Sequence, residues 1–427
     1  MTIVWMLSLF CVFMVVGMPV GYCMGLAAIL AILIDGQLPV LILAQQFYEA
    51  LDNFSLLAVP LFVLAGELMG VSGITERLVN MSRALIGHFR GGLAQANIVT
   101  NMFMGAISGS ALADLTAIGS MMIPAMKREG YSPAFAVAVT ACASMMAPII
   151  PPSIIAVIYG SVTGVSIGAL FLGGVFPGIL AGLSMLALAW WMAPGAGAHP
   201  SPRVDWTARG RATWRAVPAI FMPVIIIGGI LSGAFTPTEA GAIAALYALL
   251  FGLAGRKHSF STLYANFASA ASMTAAALVT LAGAGLFSWV MSRAGVGKVA
   301  LQLMLSITSD PSLAMLILIL FFFLLGTFLE PVPALIIVVP IMGPLIQHLG
   351  YDPVHFGIVA IMLLVLGSVT PPVGVLAMVA CKIAGISYNQ SLKALFPFTM
   401  AWLAVILLVA FVPDLVLWLP RMMQGNN

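Results

Sequence analysis

Charge is what this sequence has least of. Its 427 residues include 16 Lys/Arg and 13 Asp/Glu, 7% of the chain, where an ordinary soluble domain carries about a quarter. With 62% apolar residues, that scarcity excludes a soluble globular protein and a disordered one. Cysteine is scarce as well. Cys11, Cys23, Cys142 and Cys381 lie in or beside apolar segments without metal-ligand spacing. That excludes a disulfide scaffold and leaves them as small packing residues. No Lys or Arg precedes Arg77, so the opening segment lacks the basic flank of a cleavable signal and is expected to remain in the membrane. No long hydrophilic stretch and no G-x-x-x-x-G-K-[ST] occurs, so this chain is not expected to hydrolyse ATP. H-E-x-x-H and paired membrane aspartates are also missing, and no later histidine is placed to serve Ser108 as a base. Nothing forms the repeated charged ring or filter of a channel.

What is present is apolar sequence in runs of helical length, with a mean hydropathy of +1.14. The reading is an all-α polytopic membrane protein. An outer-membrane barrel would instead show alternating segments of ~10 residues.

The chain also matches itself at an offset of 220. Gly130-Tyr131-Ser132-Pro133 falls on Gly350-Tyr351-Asp352-Pro353, Pro124 on Pro344, Pro151-Pro152 on Pro371-Pro372, Phe176-Pro177 on Phe396-Pro397, and Gly21 on Gly241. Near residue 70 the offset drifts to 222, pairing Met69 with Met291 and Gly73 with Gly295. Internal repeats of this kind build many transporters. The expected organisation is a first repeat over residues 1–193, a basic cytoplasmic loop over 194–216, a second repeat over 217–413 and a tail over 414–427.

Each half has the same parts. In the first, Met1–Gly17 and Val20–Ile34 pair around Met18-Pro19, Asp35–Asn53 is a polar connection, and Phe54–Val71 crosses. Thr75–Phe89 is amphipathic and reads as an interfacial arm. The segment 92–127 is interrupted by Ser108-Gly109-Ser110 into arms of about 16 residues, too short to span at ~1.5 Å per residue, and reads as a re-entrant hairpin. A helix over 133–163 is broken at Pro148–Ser153, and Ser166–Ala193 crosses. In the second half Val217–Ala234 and Glu239–Ala254 pair, Phe267–Met291 crosses, and Val296–Thr308 is the arm. The hairpin is 312–349, broken near Gly326–Pro331. The broken helix is 353–384, interrupted at Ser368–Gly374, and Ala394–Pro413 closes. Five crossings and one hairpin per half is an odd number, so the halves should be inverted. With the N-terminus outside, Arg77, Arg83, Arg90, Lys127, Arg128, Arg203, Arg209, Arg211, Arg215, Arg256, Lys257, Lys382 and Lys393 fall inside, against Arg293, Lys298 and Arg421 outside. That is the bias the positive-inside rule requires. If residues 1–34 form one long tilted helix rather than two crossings, the parity changes.

Broken helices in hydrocarbon leave polar backbone groups unbonded at several kcal/mol each, so they persist where they line a site. Freed carbonyls and Ser/Thr hydroxyls are hard ligands for Na⁺ or H₃O⁺, and half-helix N-termini suit a carboxylate. Two such breaks at matched positions, each following a polar hairpin tip, mark the site. Among the intramembrane carboxylates, Glu330 sits on the second tip. Asp114 follows Ser110 and can cap or brace the first. Glu239 reads as a helix cap, and Glu67 as a residue near a membrane end that snorkels or pairs with an arm arginine. His355 reads as a packed polar tip or a pH sensor.

The runs Gly105-Ala-Ile-Ser-Gly-Ser-Ala-Leu-Ala-Asp114, Ile123-Pro-Ala-Met-Lys-Arg-Glu-Gly-Tyr131 and Ala147-Pro-Ile-Ile-Pro-Pro-Ser153, with Gly326-Thr-Phe-Leu-Glu-Pro331, Gly350-Tyr-Asp-Pro-Val-His-Phe-Gly357 and Thr370-Pro-Pro-Val-Gly374, resemble the large membrane subunit of tripartite ATP-independent periplasmic (TRAP) transporters over essentially the whole chain. The resemblance implies a sodium-driven importer of an organic acid in the bacterial inner membrane, working by an elevator movement of hairpins and broken helices against a scaffold. Its implied partners are a small four-helix membrane subunit, expected here as a separate chain, and a periplasmic substrate-binding protein. No organic cofactor and no nucleic acid are expected. Carried onto this sequence, sodium sites fall at Ser108, Gly109, Ser110, Pro148, Ile149 and Pro151, and at Gly326, Thr327, Gly367, Ser368, Val369 and Thr370. Pro152, Ser153, Glu330, Pro371 and Pro372 are expected at the substrate, with Asp114 a structural carboxylate. The alternatives are a stand-alone proton- or sodium-coupled anion carrier and, less favoured, an intramembrane enzyme.

Overall fold

The computed structural model describes residues 2–36, 38–197, 203–254 and 259–424, and among these there is no β-strand. In the first half the helices are α1 (Thr2–Val15), α2 (Val20–Asp35), α3 (Leu41–Leu51), α4 (Ala58–Val71, entered through a 3₁₀ turn at Phe54–Leu57), α5 (Ile74–Ile86), α6 (Gly92–Ser108), α7 (Ala111–Arg128), α8 (Pro133–Ser144), α9 (Ile154–Thr163) and α10 (Ile167–Met192). In the second they are α11 (Trp206–Leu231), α12 (Pro237–Ala254), α13 (Phe260–Arg293), α14 (Val296–Ile307), α15 (Pro311–Phe328), α16 (Pro331–His348), α17 (Pro353–Gly367), α18 (Val375–Ala384), α19 (Tyr388–Phe411) and α20 (Asp414–Gln424). Six helices are each long and apolar enough to cross a membrane, or seven if the pair bent by 58° between α3 and α4 is one span.

The repeated G-Y-x-P motif is a helix stop followed by a helix start. Gly130 and Gly350 take left-handed φ of 89° and 69°, which a Cβ would disfavour. The following amides, Tyr131 N and Tyr351 N, reach back to the Met126 and Ile346 carbonyls at 3.1 Å, as at a Schellman end. Ser132 then accepts from Phe135 N at 3.3 Å, and Asp352 from Val354 N at 2.8 Å, with Pro133 and Pro353 in the first turn, where a missing N–H does no harm. The tyrosines close the base of each hairpin. Tyr131 Oη accepts from Leu93 N at 3.3 Å, and Tyr351 Oη donates to the Pro311 carbonyl.

Helices from the two halves pack in matched pairs: α2 on α13 and α12 on α4, α8 on α19 and α17 on α10, α7 on α18 and α16 on α9. The α2–α13 crossing is held close by glycine. A Cβ on Gly25 would lie 3.3 Å from Gly283 Cα, and one on Gly21 would lie 2.7 Å from Thr280 Cα. Small residues four apart let helix backbones approach where hydrophobic driving force between helices is weak. Gly241 on α12 meets Leu61 of α4 in the mate of that crossing, with a Cβ there 3.0 Å from Leu61 Cβ. The arms lie along the hairpins, α5 on α6 and α14 on α16, and Arg83 of α5 pairs with Glu129 at the hairpin base at 2.7 Å.

Several segments differ from the sequence reading. The connection 35–53 contains α3, which buries no residue fully. Its inward apolar positions are only half-buried, with Phe47 against Gly25 of α2 and Ala50 against Gly285 of α13. Residues 206–216, expected in a basic loop, are the first turns of α11, because Arg and Ala continue a helix readily. Residues 198–202, together with Arg256 and Lys257, lie outside the described residues. The tail contains α20, which packs on α10 and buries Val416 and Leu417. The hairpin arms run 17 and 18 residues in the first half and 18 and 18 in the second, slightly longer than expected.

Tyr131→Phe should leave the Leu93 amide, one of the first orphan donors of α6, without its acceptor, lowering stability by about 1–3 kcal/mol. Tyr264→Phe, an exposed position, should change it by less than about 0.5 kcal/mol. Unfolding in detergent of the two variants checks the difference.

Candidate functional site

Each hairpin tip sits against the helix break of its own half. At the first tip, α6 ends with Gly109 in the left-handed region at φ 62°, and Ser110 caps α7 by accepting from Ala113 N at 3.4 Å. Ser108 Oγ accepts from Ser110 N at 3.2 Å. A Cβ on Gly109 would lie 2.5 Å from the Pro152 carbonyl oxygen and 3.2 Å from Ile154 N, and one on Gly105 would lie 2.9 Å from Ala147 Cα. The tip thus touches both ends of the break, and only glycine allows it.

The first break is residues 145–153. Pro148, Ile149, Pro151, Pro152 and Ser153 are buried. Ser153 starts α9 by accepting from Ala156 N at 3.1 Å while donating to the Pro148 carbonyl. Among the described residues no backbone N–H bonds to the carbonyls of Ala147 to Pro152. The Ile149 carbonyl oxygen lies against Gly174 of α10. The Pro151–Pro152 peptide is cis, as is Pro371–Pro372.

In the second half Gly326 and Gly367 lie backbone to backbone, and a Cβ on Gly326 would reach the Leu364 carbonyl oxygen at 2.7 Å. Thr327 is buried and donates to the Leu324 carbonyl at 2.8 Å. Thr370 Oγ1 donates to the Leu366 carbonyl at 2.9 Å, and the Ser368 carbonyl accepts from Leu376 N at 2.9 Å. The Val369 carbonyl accepts from Tyr388 Oη at 3.3 Å. Pro371 and Pro372 are exposed, unlike their buried counterparts. Glu330 heads α16 with its side chain exposed and making no capping bond.

Asp114 is fully buried beside Ser108, with both carboxylate oxygens lacking a hydrogen bond. Capping of the first tip is done by Ser110, so Asp114 does not cap. Glu239 and Thr236 form a reciprocal cap, with Thr236 N to Glu239 Oε2 at 2.8 Å and Glu239 N to Thr236 Oγ1 at 3.3 Å, the helix-start role read for it. His355 Nε2 bonds the Val409 carbonyl at 2.9 Å and is buried, a packed polar tip. Glu67 adjoins Gly66, where a Cβ would lie 3.5 Å from Ser108 Cα. It therefore lies near the first tip, about one turn before the end of α4, and it is in neither of the two ion pairs found among the described residues.

Some of the site was not anticipated. Asn97 Nδ2 donates to Thr140 Oγ1 at 2.7 Å, and Asn101 Nδ2 to Asn97 Oδ1 at 2.8 Å, tying α6 to α8 by a buried polar chain. Two asparagines four apart on an apolar helix were the available signal. Tyr388, which holds Val369, and Lys127, whose Nζ donates to the Ala384 carbonyl at 2.7 Å across the two halves, gave no local sign.

An all-helical fold of paired hairpins and interrupted helices is that of a membrane transporter. The YdaH transporter of Alcanivorax borkumensis shares it at TM-score 0.61 and 12% identity over 87% of each chain, and MtrF of Neisseria gonorrhoeae at 0.60 and 15% over 86% of this chain and 82% of that one. More particularly, the model for the DctM component of the tripartite ATP-independent periplasmic transporter matches residues 7–415, and the chain belongs to that family as a large permease subunit. It is 38% identical to the isethionate TRAP transporter permease protein DctMQ of Oleidesulfovibrio alaskensis, over 95% of this chain and 64% of that longer relative. It is 35% identical to the sialic acid large permease protein SiaM of Vibrio cholerae, over 96% of each, and 33% identical to the C4-dicarboxylate large permease protein DctM of the same organism, over 96% of each. These relatives are named as transporter permeases, which removes the intramembrane-enzyme alternative.

Gly367→Ala should force the second tip off its break and lower stability by about 1–3 kcal/mol, with loss of transport. Gly343→Ala, where a side chain meets nothing within 4 Å, should be neutral or slightly stabilising. Unfolding and uptake measured on both separate the backbone contact from a general glycine effect.

Proposed function

We propose that this permease imports an organic acid across the bacterial inner membrane by Na⁺ symport, receiving it from a periplasmic binding protein and working with a separate small four-helix membrane subunit. The observation that carries the reading is the matched seating of each hairpin tip on a break whose carbonyls have few or no N–H partners. Those carbonyls, with the Ser108 and Ser110 hydroxyls in one half and the Thr327 and Thr370 hydroxyls in the other, supply hard oxygen ligands for a small cation. The geometry favours some assigned ligands over others. Pro148 and Val369 each keep one carbonyl lone pair, whereas the Ile149 carbonyl oxygen lies against Gly174 and the Ser368 carbonyl is already bonded along the chain. Pro152, Ser153, Pro371 and Pro372, at the starts of α9 and α18, flank the proposed anion position. The relatives named for isethionate, sialic acid and C4-dicarboxylates share an acidic group, and a half-helix N-terminus beside a bound cation suits one. Exposed Glu330 would repel an anion directly and acts better at the rim of the site.

The two repeats are read as inverted, with the N-terminus periplasmic, on the charge distribution. The crossed pairs α7–α18 and α16–α9 would then move as one elevator body, braced by α5 and α14 against the α2–α13 and α4–α12 scaffold. Inward transport gains ~2.3 kcal/mol per net charge per 100 mV.

Thermal unfolding in NaCl, KCl and choline chloride at equal ionic strength should show a Na⁺-specific rise, about 2.7 kcal/mol at 100 Kd, reduced in Ser108→Ala. Equal stability in the three salts, with uptake in liposomes that needs no sodium gradient, would sink the coupling. Uptake unchanged when the binding protein is omitted would sink the tripartite assignment and favour the stand-alone carrier.

A further inference from the structure

The arm α5 and the first turns of α11 build a cationic surface with no part in the transport site. The two helices pack together: Arg77 Nη1 donates to the Arg215 carbonyl at 3.4 Å, and the Arg77 guanidinium lies 4.9 Å from the Phe251 ring centroid. His88 lies two residues past the end of α5, and Arg203 and Asp205 stand just before the first turn of α11. His88 lies within reach of Arg209 and Arg203: burial first, then those two charges, hold its imidazole below the ordinary range.

Two polar atoms of this cluster, His88 Nδ1 and Arg209 Nε, are buried without a hydrogen-bond partner. Arg209 stacks 5.0 Å from the Trp206 centroid, and Arg90 5.0 Å from Trp190. The carboxylate beside them, Asp205, is engaged by Thr207 Oγ1. Among the described residues neither Arg203 nor Arg209 is in an ion pair.

Depth says what the cluster meets. Trp206 and Trp214 are 80% and 77% exposed and top a stripe of outward apolar side chains, Val217, Phe221 and Val224, on the same face of α11. An apolar stripe ending in tryptophans is the pattern of a helix leaving hydrocarbon for the headgroup layer. The arginines beside those tryptophans are at the height of lipid phosphates, and guanidinium geometry matches phosphate oxygens in pairs.

We propose that the α5–α11 junction binds the phosphate of an anionic phospholipid headgroup through Arg203, Arg209 and His88. A lipid held there would bridge the arm to α11. The proposal rests on the membrane fold and not on the transport reading, so failure of one leaves the other standing.

The test uses the full chain, purified with phosphatidylcholine, and counts bound lipid by native mass spectrometry on titration with phosphatidylglycerol. The unaltered chain should retain phosphatidylglycerol in preference to phosphatidylcholine. Arg203→Gln and Arg209→Gln, each tested alone and each checked for an unchanged unfolding temperature in phosphatidylcholine, should weaken the anionic lipid about fivefold. Arg421→Gln, a cation on α20, should leave binding unchanged. Equal retention in all variants, or the same loss in Arg421→Gln, overturns the site. Displacement of the lipid by millimolar inorganic phosphate would also overturn it, by making the ligand a free anion.

Discussion

Every backbone N–H and carbonyl in hydrocarbon has to find a partner inside the protein, and the architecture follows from that requirement. An uninterrupted helix meets it alone. The breaks at 145–153 and 368–374 do not, and each is covered by a hairpin tip. Coverage is possible because glycine stands at the contact: Gly105 and Gly109 on one side, Gly326 and Gly367 on the other. What remains uncovered is a small set of carbonyls and hydroxyls held at fixed positions.

The same requirement explains how the halves are joined. A hairpin and a broken helix of one half leave polar ends that the other half meets. Lys127 bonds the Ala384 carbonyl, and Tyr159 bonds the Pro353 carbonyl at 2.8 Å. The crossed packing of α7 with α18 and of α16 with α9 links the two tip-and-break units into one body. The halves are not equivalent in detail. The first break is buried whereas Pro371 and Pro372 are exposed, and α5 turns Glu76 and Arg83 outward where α14 turns out Val299, Leu303 and Ile307.

Legibility in the sequence followed the range of the interaction. Gly130-Tyr-Ser-Pro133 and its copy were readable because a left-handed glycine, a capping oxygen and a first-turn proline act within a few residues. The tips and the Pro-Pro breaks were readable for the same reason. The start of α11 was misread because arginines suggested a loop where helix propensity was sufficient. Asp114 was placed at the first tip, to cap or to brace it, and Ser110 does the capping. That Glu67 stands near the first tip was not legible, because it follows from the packing of Gly66 on Ser108, a contact between residues far apart in the chain.

By itself the sequence determined the membrane class, the stop and start at each G-Y-x-P turn, the hairpin tips and helix breaks, and the repetition of these motifs along the chain. Composition and short-range hydrogen bonding decide those. Only the tertiary structure decided which tip lies on which break, which carbonyls are already bonded, and that Tyr388 reaches Val369. Each of these depends on two backbones meeting at van der Waals distance across long separations of chain, and no local pattern of residues records that distance.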